Sequence, residues 1–355
     1  MRKETSHCAV CGGSPRIFSK VLGLCPVCAL TEGGLEQAKT AHAESRGLFG
    51  LPGEPPRTEG GVQCKLCGCE CVIGEGERGF CGLRTVENGK LVHFAGTPQK
   101  GLLHWYRDPL PTNCVADWVC SGSNQFGKHN LAVFYSSCTL DCLFCQNWHY
   151  REVDAKQSKG ISASELAECA NSFTYCVCYF GGDPASQMPH ALASAKELSK
   201  RGVVICWETA GTANPRLMDR AMKYSVESGG CVKFDIKTYT ESLHIALSGW
   251  SNQRTLENFK QAAEYFEERP NPPPLIASTL LVPGYVDADE VKRISNFIAN
   301  LNPKIPYALL GFGPNYLMPD LPTTSLEHAE KAYEAAHEAG LTNVRIGNRH
   351  LLGLI

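Results

Sequence analysis

From Leu131 onward, short apolar runs alternate with longer amphipathic runs. The short runs have the length and composition of strands, and the longer runs have helical periodicity. Ser162-Ala-Ser-Glu165 has the form of a capping box, and Asn214–Pro215 places proline at a first helical position. Six such pairs favour a parallel sheet with helical crossovers. The strands are expected at 131–136, 176–180, 203–208, 231–237, 275–282 and 306–312, and the helices at 162–172, 185–200, 214–228, 255–268, 288–300 and 325–340.

Six strand–helix units are fewer than the eight of a closed barrel. We therefore expect an α/β fold, a partial (β/α)6 TIM-like barrel with a loop-rich, metal-binding N-terminal region. The stretch 47–61 is dense in glycine and proline, which indicates a linker. The predicted divisions are a zinc-ribbon-like module at 1–46, a linker at 47–63, a cysteine-rich extension at 64–130 and a core at 131–355.

The composition is that of a globular chain large enough to build a sizeable core. Of its 355 residues 43% are hydrophobic, and the net charge of −2 gives no electrostatic reason to expect nucleic acid or an anionic membrane as partner. No apolar run approaches the roughly 20 residues of a spanning helix, and the N-terminus has no signal-peptide core. We expect a cytoplasmic protein, in which the nineteen cysteines suit metal better than disulfides.

Three cysteines, Cys138, Cys142 and Cys145, follow the first predicted strand in the string CTLDCLFCQNW. Three thiolates leave one corner of a cubane iron–sulfur cluster without a protein ligand, whereas four thiolates close it. The carboxyl ends of parallel strands are also where such folds place cofactors. The spacing therefore predicts a cluster with one open iron, and a zinc site is the alternative.

Two further groups of residues follow predicted strands. Gly181 and Gly182 begin the string GGDP after the second strand, where they either let backbone approach a ligand or form an ordinary turn. Lys233, Asp235 and Lys237 share one face of the fourth strand. Burying these charges is costly unless they are paired or bound to a ligand. A ligand site and a salt-bridge network are the two interpretations.

Together these strings resemble the radical S-adenosylmethionine (SAM) superfamily over about residues 131–345. CTLDCLFCQNW resembles the cluster signature of that superfamily. GGDP resembles the GGEP motif of pyruvate formate-lyase activating enzymes, Asp235-Ile236-Lys237 their D-[LIV]-K motif, and Val282-Pro283-Gly284 their V-P-G turn. The resemblance is greatest to the branch with a CQNW ending and a cysteine-bearing N-terminal extension.

The resemblance implies a [4Fe–4S] cluster on the three cysteines, whose open iron chelates SAM. Reductive cleavage of SAM would give a 5′-deoxyadenosyl radical that abstracts hydrogen from a substrate. The electron donor would be of the flavodoxin or ferredoxin type. Asp183 stands where many relatives have glutamate, so the role of this carboxylate is open. The SAM contacts implied by the resemblance are Phe144, Gly181, Gly182, Asp183, Asp235, Lys237, Val282 and Gly284.

The first N-terminal cysteines form two C-x2-C pairs, Cys8 with Cys11 and Cys25 with Cys28. This spacing is close to that of a zinc ribbon, in which two such pairs complete a tetrahedral thiolate site. A module of this size is too small to fold on its core alone, so the metal would stabilise it. We expect zinc, with an iron–sulfur cluster or no metal as the alternatives.

The remaining cysteines are assigned by their spacing. A second group consists of Cys64, Cys67, Cys71 and Cys81, with Cys69 as an extra thiol. The gaps between these cysteines are unequal and fit either zinc or an auxiliary [4Fe–4S] cluster. Cys114 and Cys120 could be additional ligands or packed thiols. Five more lie in predicted helices and strands and are expected to pack as small hydrophobes, namely Cys169, Cys176, Cys178, Cys206 and Cys231.

Three functions are compatible with the sequence. The first is a radical SAM enzyme acting on a small molecule or another macromolecule. The second is an activating enzyme that generates a glycyl radical on a protein substrate. The third, of another class, is a non-catalytic zinc- or nucleic-acid-binding protein built on the N-terminal cysteine pairs. The ordered strand-end motifs and the near-neutral charge favour an enzyme, and the substrate is not evident from the sequence.

Overall fold

A computed structural model describes residues 6–112 and 114–353; residues 1–5, 113 and 354–355, which belong to the predicted module, extension and core, lie outside the described residues. The strands are β1 (Val62–Gln63), β2 (Val72–Ile73), β3 (Arg84–Glu87), β4 (Lys90–His93), β5 (Leu103–Pro109), β6 (His129–Tyr135), β7 (Thr174–Phe180), β8 (Val204–Thr209), β9 (Val232–Asp235), β10 (Leu275–Leu281), β11 (Tyr307–Gly311) and β12 (Val344–Gly347). The helices are α1 (Pro26–Ala29), α2 (Leu35–Gly47), α3 (Ala163–Glu168), α4 (Met188–Lys200), α5 (Pro215–Ser228), α6 (Glu241–Ser248), α7 (Gln253–Ala263), α8 (Ala288–Leu301) and α9 (Leu326–Glu338).

One eight-stranded sheet organises the molecule, with its strands in the order β5 to β12. Strands β6 to β12 are all parallel to their neighbours, and β5 pairs with β6 in antiparallel register. Helices connect the parallel strands, and the strand order follows the chain, as in part of a TIM barrel. The predicted α/β fold with a partial TIM-like barrel is confirmed.

The structure adds elements that the sequence pattern did not indicate, namely β1 to β5, β12, α1, α2 and α6. Strand β12 is four residues long and exposes Arg345, so it lacks an apolar run. The buried residues of α2 include alanines, serine, histidine and arginine, which give no distinct apolar stripe. Such elements form because neighbouring elements provide packing that local sequence does not encode.

The two faces of the sheet differ in chemistry because side chains alternate along each strand. On β7, Val177 and Tyr179 belong to the large core shared with the helices. Cys176 and Cys178, on the same strand, belong to a separate buried cluster. On β9, Phe234 faces the helix core, while Lys233 lines a cavity on the opposite, inner face. The inner face therefore carries the sulfur-containing and charged side chains.

The N-terminal segments are joined to the core. Helix α2 packs against α6, and β5, from the segment predicted as an extension, forms the edge of the main sheet. The four predicted divisions remain a prediction. Among the residues that the structure describes, none of the helices has the length and apolar character that crossing a membrane requires.

Candidate active site

A cavity of about 300 Å³ lies at the carboxyl ends of the central parallel strands. The last residues of β7, β8 and β9 and the loop after β6 line it, and Leu280 of β10 and Leu310 of β11 complete its wall. The predicted residues that the structure brings together here are Cys138, Cys142, Phe144, Cys145, Gly181, Gly182, Asp183, Asp235 and Lys237. Sequence motifs up to one hundred residues apart thus converge on one space.

A buried carboxylate, that of Asp141, fixes the loop that carries the three cysteines. Its oxygens accept hydrogen bonds from His42 Nδ1 at 2.9 Å and from Arg151 Nη2 at 2.8 Å. Burial alone would raise the pKa of Asp141, but the hydrogen bond from His42 and the charge of Arg151 lower it. The backbone N–H of Asp141 also donates to the Ser248 carbonyl at 2.8 Å. Asp141 is therefore a charged anchor between two predicted cluster ligands.

The glycine pair is required by the backbone itself. Gly181 and Gly182 both have positive φ, at 65° and 44°. A Cβ on Gly182 would lie 2.3 Å from the carbonyl oxygens of Tyr135 and Ser137, so any other residue would force β6 and β7 apart. The turn therefore brings the end of β7 against the start of the cysteine loop.

The Asp183 carboxylate is engaged within the protein. It accepts hydrogen bonds from the backbone N–H groups of Ala185 at 2.6 Å and Ala210 at 2.7 Å, and from Thr209 Oγ1 at 2.9 Å. Burial raises the pKa of Asp183, which these hydrogen bonds oppose. Asp183 thus joins the ends of β7 and β8. Its predicted contact with SAM stays a prediction, and its side chain has a positioning role in this structure.

Asp235 and Lys237 form an ion pair at the cavity wall. The other carboxylate oxygen, Asp235 Oδ1, is buried without a hydrogen-bond partner, which is costly unless a ligand supplies one. Lys237 Nζ also lies 5.6 Å from the Phe144 ring centroid. Burial would lower the pKa of Lys237, but Asp235 and the Cys142 thiol raise it. The ion pair is therefore present, and the interpretation as a ligand site stays a prediction, which the unpartnered oxygen favours.

Two residues of the predicted SAM set lie elsewhere. The lining of the cavity includes neither Val282 nor Gly284. Val282 is buried in the main core, and Gly284 approaches the N-terminal module so closely that a Cβ there would be 2.9 Å from Ile17. The V-P-G turn therefore supports the N-terminal module, and the predicted SAM contacts of Val282 and Gly284 stay predictions.

The second cysteine group lies beside the cavity. Cys69 donates to the Thr139 carbonyl, within the cluster loop, at 3.3 Å. Arg84, fully buried, donates to Cys81 Sγ at 3.1 Å and to the Ser186 carbonyl at 2.7 Å. Hydrogen bonding with Cys69 lowers the pKa of Cys67 to about 7, which favours the thiolate that binds metals. Through Cys69 and Arg84, this second cysteine group is therefore connected to the cluster loop and to Ser186, which follows the glycine turn.

The N-terminal pairs converge as predicted for one ion. The sulfur atoms of Cys8, Cys11, Cys25 and Cys28 all lie within 4.8 Å of one another, and among residues 6–112 and 114–353 no other such group of three or more metal-ligating residues is found. Cys11 and Cys25 Sγ are 3.8 Å apart, which matches the edge of a tetrahedron with Zn–S bonds of about 2.3 Å. Burial would raise the pKa of Cys8, but backbone hydrogen bonds lower it to about 6.

Several residues at the site could not be selected from the sequence. Asp141 is a single charged residue inside the cysteine motif, and this position is the only indication of its role in the sequence. His42 and Arg84 are common residue types whose roles arise from contacts over about one hundred residues, and Arg151 is a common residue type ten residues after Asp141. Only the fold reveals them.

Comparison with known proteins agrees with this geometry. Residues 132–298 match the Radical SAM superfamily, and this range contains the three cysteines, the glycine pair and the Asp235–Lys237 strand. The chain therefore carries a radical SAM domain over these residues. It is an enzyme of the radical SAM class, so a non-catalytic binding protein is excluded.

The relatives are named as activating enzymes or have no named activity. An uncharacterized protein of Methanocaldococcus jannaschii is 26% identical in an alignment of 305 residues that covers 81% of this chain and 81% of its own. The isethionate sulfite-lyase activating enzyme of Oleidesulfovibrio alaskensis is 30% identical over 37% of this chain and 41% of its own. The pyruvate formate-lyase 1-activating enzyme of Escherichia coli is 24% identical over 50% of this chain and 74% of its own. This radical SAM protein thus spans about two fifths of one activating enzyme and about three quarters of the other.

Proposed function

We propose that this radical SAM enzyme reductively cleaves SAM at a [4Fe–4S] cluster held by Cys138, Cys142 and Cys145. The observation that carries the proposal is the unpartnered Asp235 Oδ1 in a cavity that is also lined by three thiols and a glycine turn. SAM carries an ammonium group and a sulfonium, both of which a buried carboxylate would attract. When bound, the cluster and SAM supply a 5′-deoxyadenosyl radical.

The protein's own residues would hold the cluster, orient SAM and shield the radical from solvent. Asp141 fixes the cysteine loop, and Asp183 fixes the glycine turn through backbone hydrogen bonds. Lys237, beside Cys142 in charge interaction, would offset the negative charge of the ligated thiolates. Phe144, Phe180 and Leu280 line the cavity and would exclude water and stray hydrogen donors.

We further propose that Cys8, Cys11, Cys25 and Cys28 hold zinc. Their convergence within 4.8 Å supports a single tetrahedral ion. The group of Cys64, Cys67, Cys71 and Cys81 does not converge in this way among the described residues. That wider spacing supports an auxiliary [4Fe–4S] cluster over a single zinc ion, because a cubane distributes its thiolates over four irons.

For the substrate, we propose a small molecule or a macromolecule other than a glycyl radical enzyme as the first candidate. A glycyl radical enzyme is the second candidate, and the names of two relatives support it. The N-terminal cysteine groups favour the first candidate. Cys69 of the second group donates to the Thr139 carbonyl of the cluster loop, so these segments add protein surface next to the loop. A one-electron donor of the flavodoxin or ferredoxin type is the proposed partner.

The test is anaerobic incubation of the reconstituted full chain with SAM and dithionite. We expect 5′-deoxyadenosine and methionine in equal amounts, and their absence from the fully reconstituted protein would reject the proposal. Adding a candidate glycyl radical enzyme and recording its electron paramagnetic resonance spectrum separates the substrates. A glycyl radical signal would favour the second candidate, whereas stimulation of 5′-deoxyadenosine formation by another compound, with hydrogen transfer from it, would favour the first.

A further inference from the structure

A second cavity adjoins the one proposed for SAM. It measures about 230 Å³, and its lining includes Arg345, Arg349 and His350; we call this space the arginine cavity. Three residues line both cavities, namely Val115, Leu310 and Asn348. The arginine cavity can therefore hold one end of a molecule whose other end reaches the SAM cavity.

The floor of the arginine cavity is the inner face of the last two strands of the sheet. Ala308 and Leu310 of β11 line it, as does Arg345 of β12, which lies directly opposite Ala308 in the strand register. The residues that alternate with them, Leu309 and Ile346, pack with the helix core. Because side chains alternate between the two faces of a strand, the sheet directs Arg345 into the barrel.

The roof is the segment 114–118, which follows β5. Val115, Asp117 and Trp118 line the cavity from this segment, and Trp118 Nε1 donates to the Val115 carbonyl at 3.1 Å. Arg345 Nη1 donates to Asp117 Oδ1 at 2.8 Å, and the Arg345 guanidinium lies 5.9 Å from the Trp118 ring centroid. The roof is therefore held to the floor at one side of the cavity, and an indole ring forms part of its apolar surface.

A left-handed turn after β12 positions Arg349. Asn348 has a positive φ of 50°, which asparagine tolerates better than most residues. A Cβ on Gly347 would lie 2.8 Å from Leu310 Cδ2, so the turn passes close over the end of β11. The turn therefore places Asn348 at the boundary of the two cavities and Arg349 beyond it, in the lining of the arginine cavity.

The arginine cavity has an excess of positive charge. Among the described residues that line it, the one carboxylate is Asp117, which is paired with Arg345. Arg349 takes part in no ion pair within residues 6–112 and 114–353, and its guanidinium makes no hydrogen bond there. The side chains of the Arg345–Asp117 pair are 43% and 33% exposed, so this pair is weak and can open to another anion.

The SAM cavity has the opposite balance of charge. The carboxylates of Asp183, Glu208 and Asp235 line it. Among its lining residues that the structure describes, the one cation is Lys237, which is already paired with Asp235. An anionic group is therefore attracted to the arginine cavity, while the ammonium and sulfonium of SAM favour the neighbouring space.

We propose that the arginine cavity binds an oxyanion of the substrate, a carboxylate or a phosphate, and so orients the substrate toward the SAM cavity. The proposal rests on the proposed function, because it assigns the molecule from which the 5′-deoxyadenosyl radical takes hydrogen. A guanidinium matches both oxyanions with two parallel hydrogen bonds, and Arg349 has its donors available for them. The substrate class is thus an organic acid or a phosphate ester, which agrees with the small molecule of the first substrate candidate.

The test is anaerobic titration calorimetry on the reconstituted full chain. The probes are inorganic phosphate and malonate, and SAM is present at saturation, without reductant, so that the probes are kept from the SAM cavity. The variants are Arg349→Gln, Arg349→Lys and Asp117→Asn. The matched control is Arg201→Gln, because the Arg201 guanidinium donates to the Ala167 carbonyl away from both cavities. Circular dichroism reports folding, and the Kd of SAM is measured for each variant.

We expect one probe site per wild-type chain and a Kd at least about tenfold higher in Arg349→Gln, since one of the two guanidinium groups is lost. Arg349→Lys keeps the charge and should lie between the two, and Arg201→Gln should match the wild type. Asp117→Asn should bind the probe more tightly than the wild type, because Arg345 is then released to the anion. A purely structural role of these residues would not produce this opposite sign. The probe with the lower Kd assigns the oxyanion as phosphate or carboxylate.

Three results would overturn the proposal. They are an equal Kd for the probe in wild type and folded Arg349→Gln, no binding of either probe to the wild type, and a weakened affinity for SAM in Arg349→Gln. The last result would mean that the arginine cavity holds part of SAM. Cleavage of SAM by the wild-type protein is measured on the same preparation, so failure of the proposed function and failure of the anion site are observed separately.

Discussion

The N-terminal cysteine module and the cysteine loop at the cavity use the same ligand type in opposite ways. In the module, four sulfurs from a span of 21 residues, Cys8 to Cys28, converge on one point. Local turns position them, and the N–H of Cys28 donates to Cys25 Sγ at 3.4 Å. In the loop, three thiols face a cavity, and a buried carboxylate bound by distant side chains fixes the backbone.

This difference indicates what each site needs in order to form. A small module with four convergent thiols depends on its ion, because it has little core of its own. The cysteine loop is held through Asp141 by His42 of α2 and by the carboxyl end of α6. Protein contacts therefore shape this loop, and a cluster would enter a largely preformed setting. Each of the following predictions tests this contrast, starting with the largest expected effect.

The largest effect is expected from Cys138→Ala, Cys142→Ala and Cys145→Ala combined. Removing all three thiolates should eliminate the SAM-binding cluster, about four irons per chain, and abolish formation of 5′-deoxyadenosine. Zinc in the N-terminal module should stay at the wild-type level. Iron and zinc analysis and product chromatography measure these outcomes, with Cys169→Ala as control. Continued cleavage of SAM by the triple variant would disprove the role of the loop.

Next in size is the loss of the N-terminal ion in Cys11→Ser with Cys25→Ser. Structural zinc contributes on the order of 10 kcal/mol to folding of isolated zinc-finger peptides. We therefore expect loss of about one zinc per chain and loss of amide-exchange protection over residues 8–28, with SAM cleavage retained. Point changes are preferable to a fragment starting at Leu131, because β5 would be lost from the edge of the sheet. Loss of both zinc and cleavage would show that the two sites depend on each other.

The sequence predicted those parts whose signals are local. The six apolar runs from 131 onward became β6 to β11, and the cysteine, glycine and Asp235–Lys237 motifs met at one cavity because carboxyl ends of parallel strands share one edge. It did not predict β12, whose four residues lack an apolar run. It also gave no sign that the turn at Gly284 approaches Ile17 of the N-terminal module. Contacts between segments more than 200 residues apart cannot be inferred from local pattern.

A smaller effect is expected for Asp141→Asn, which tests the protein-held loop. The change removes a buried charge and leaves Arg151 without its carboxylate partner, a situation that typically costs about 3–5 kcal/mol. Urea unfolding of anaerobic protein should show this loss and, by loosening the loop, reduced cluster occupancy. The control Glu197→Gln breaks an exposed pair with Lys200 and should cost less than about 1 kcal/mol. Equal effects of the two changes would mean that Asp141 does not anchor the loop.

The smallest effect is expected for Asp235, which would be a ligand of neither the proposed cluster nor the proposed zinc. Asp235→Asn removes the charge beside Lys237 and replaces one oxygen of the carboxylate whose Oδ1 lacks a partner. We expect the Kd for SAM to rise about tenfold to hundredfold, or about 1–3 kcal/mol for one charge-assisted hydrogen bond. Iron content should be unchanged, because the loop and its anchor are intact. Equilibrium binding of SAM to the reconstituted variant measures the change, and Glu197→Gln is again the control. If SAM affinity is unaltered while the free energy of unfolding falls, Asp235 and Lys237 form a structural ion pair only, and the open oxygen does not face the cofactor.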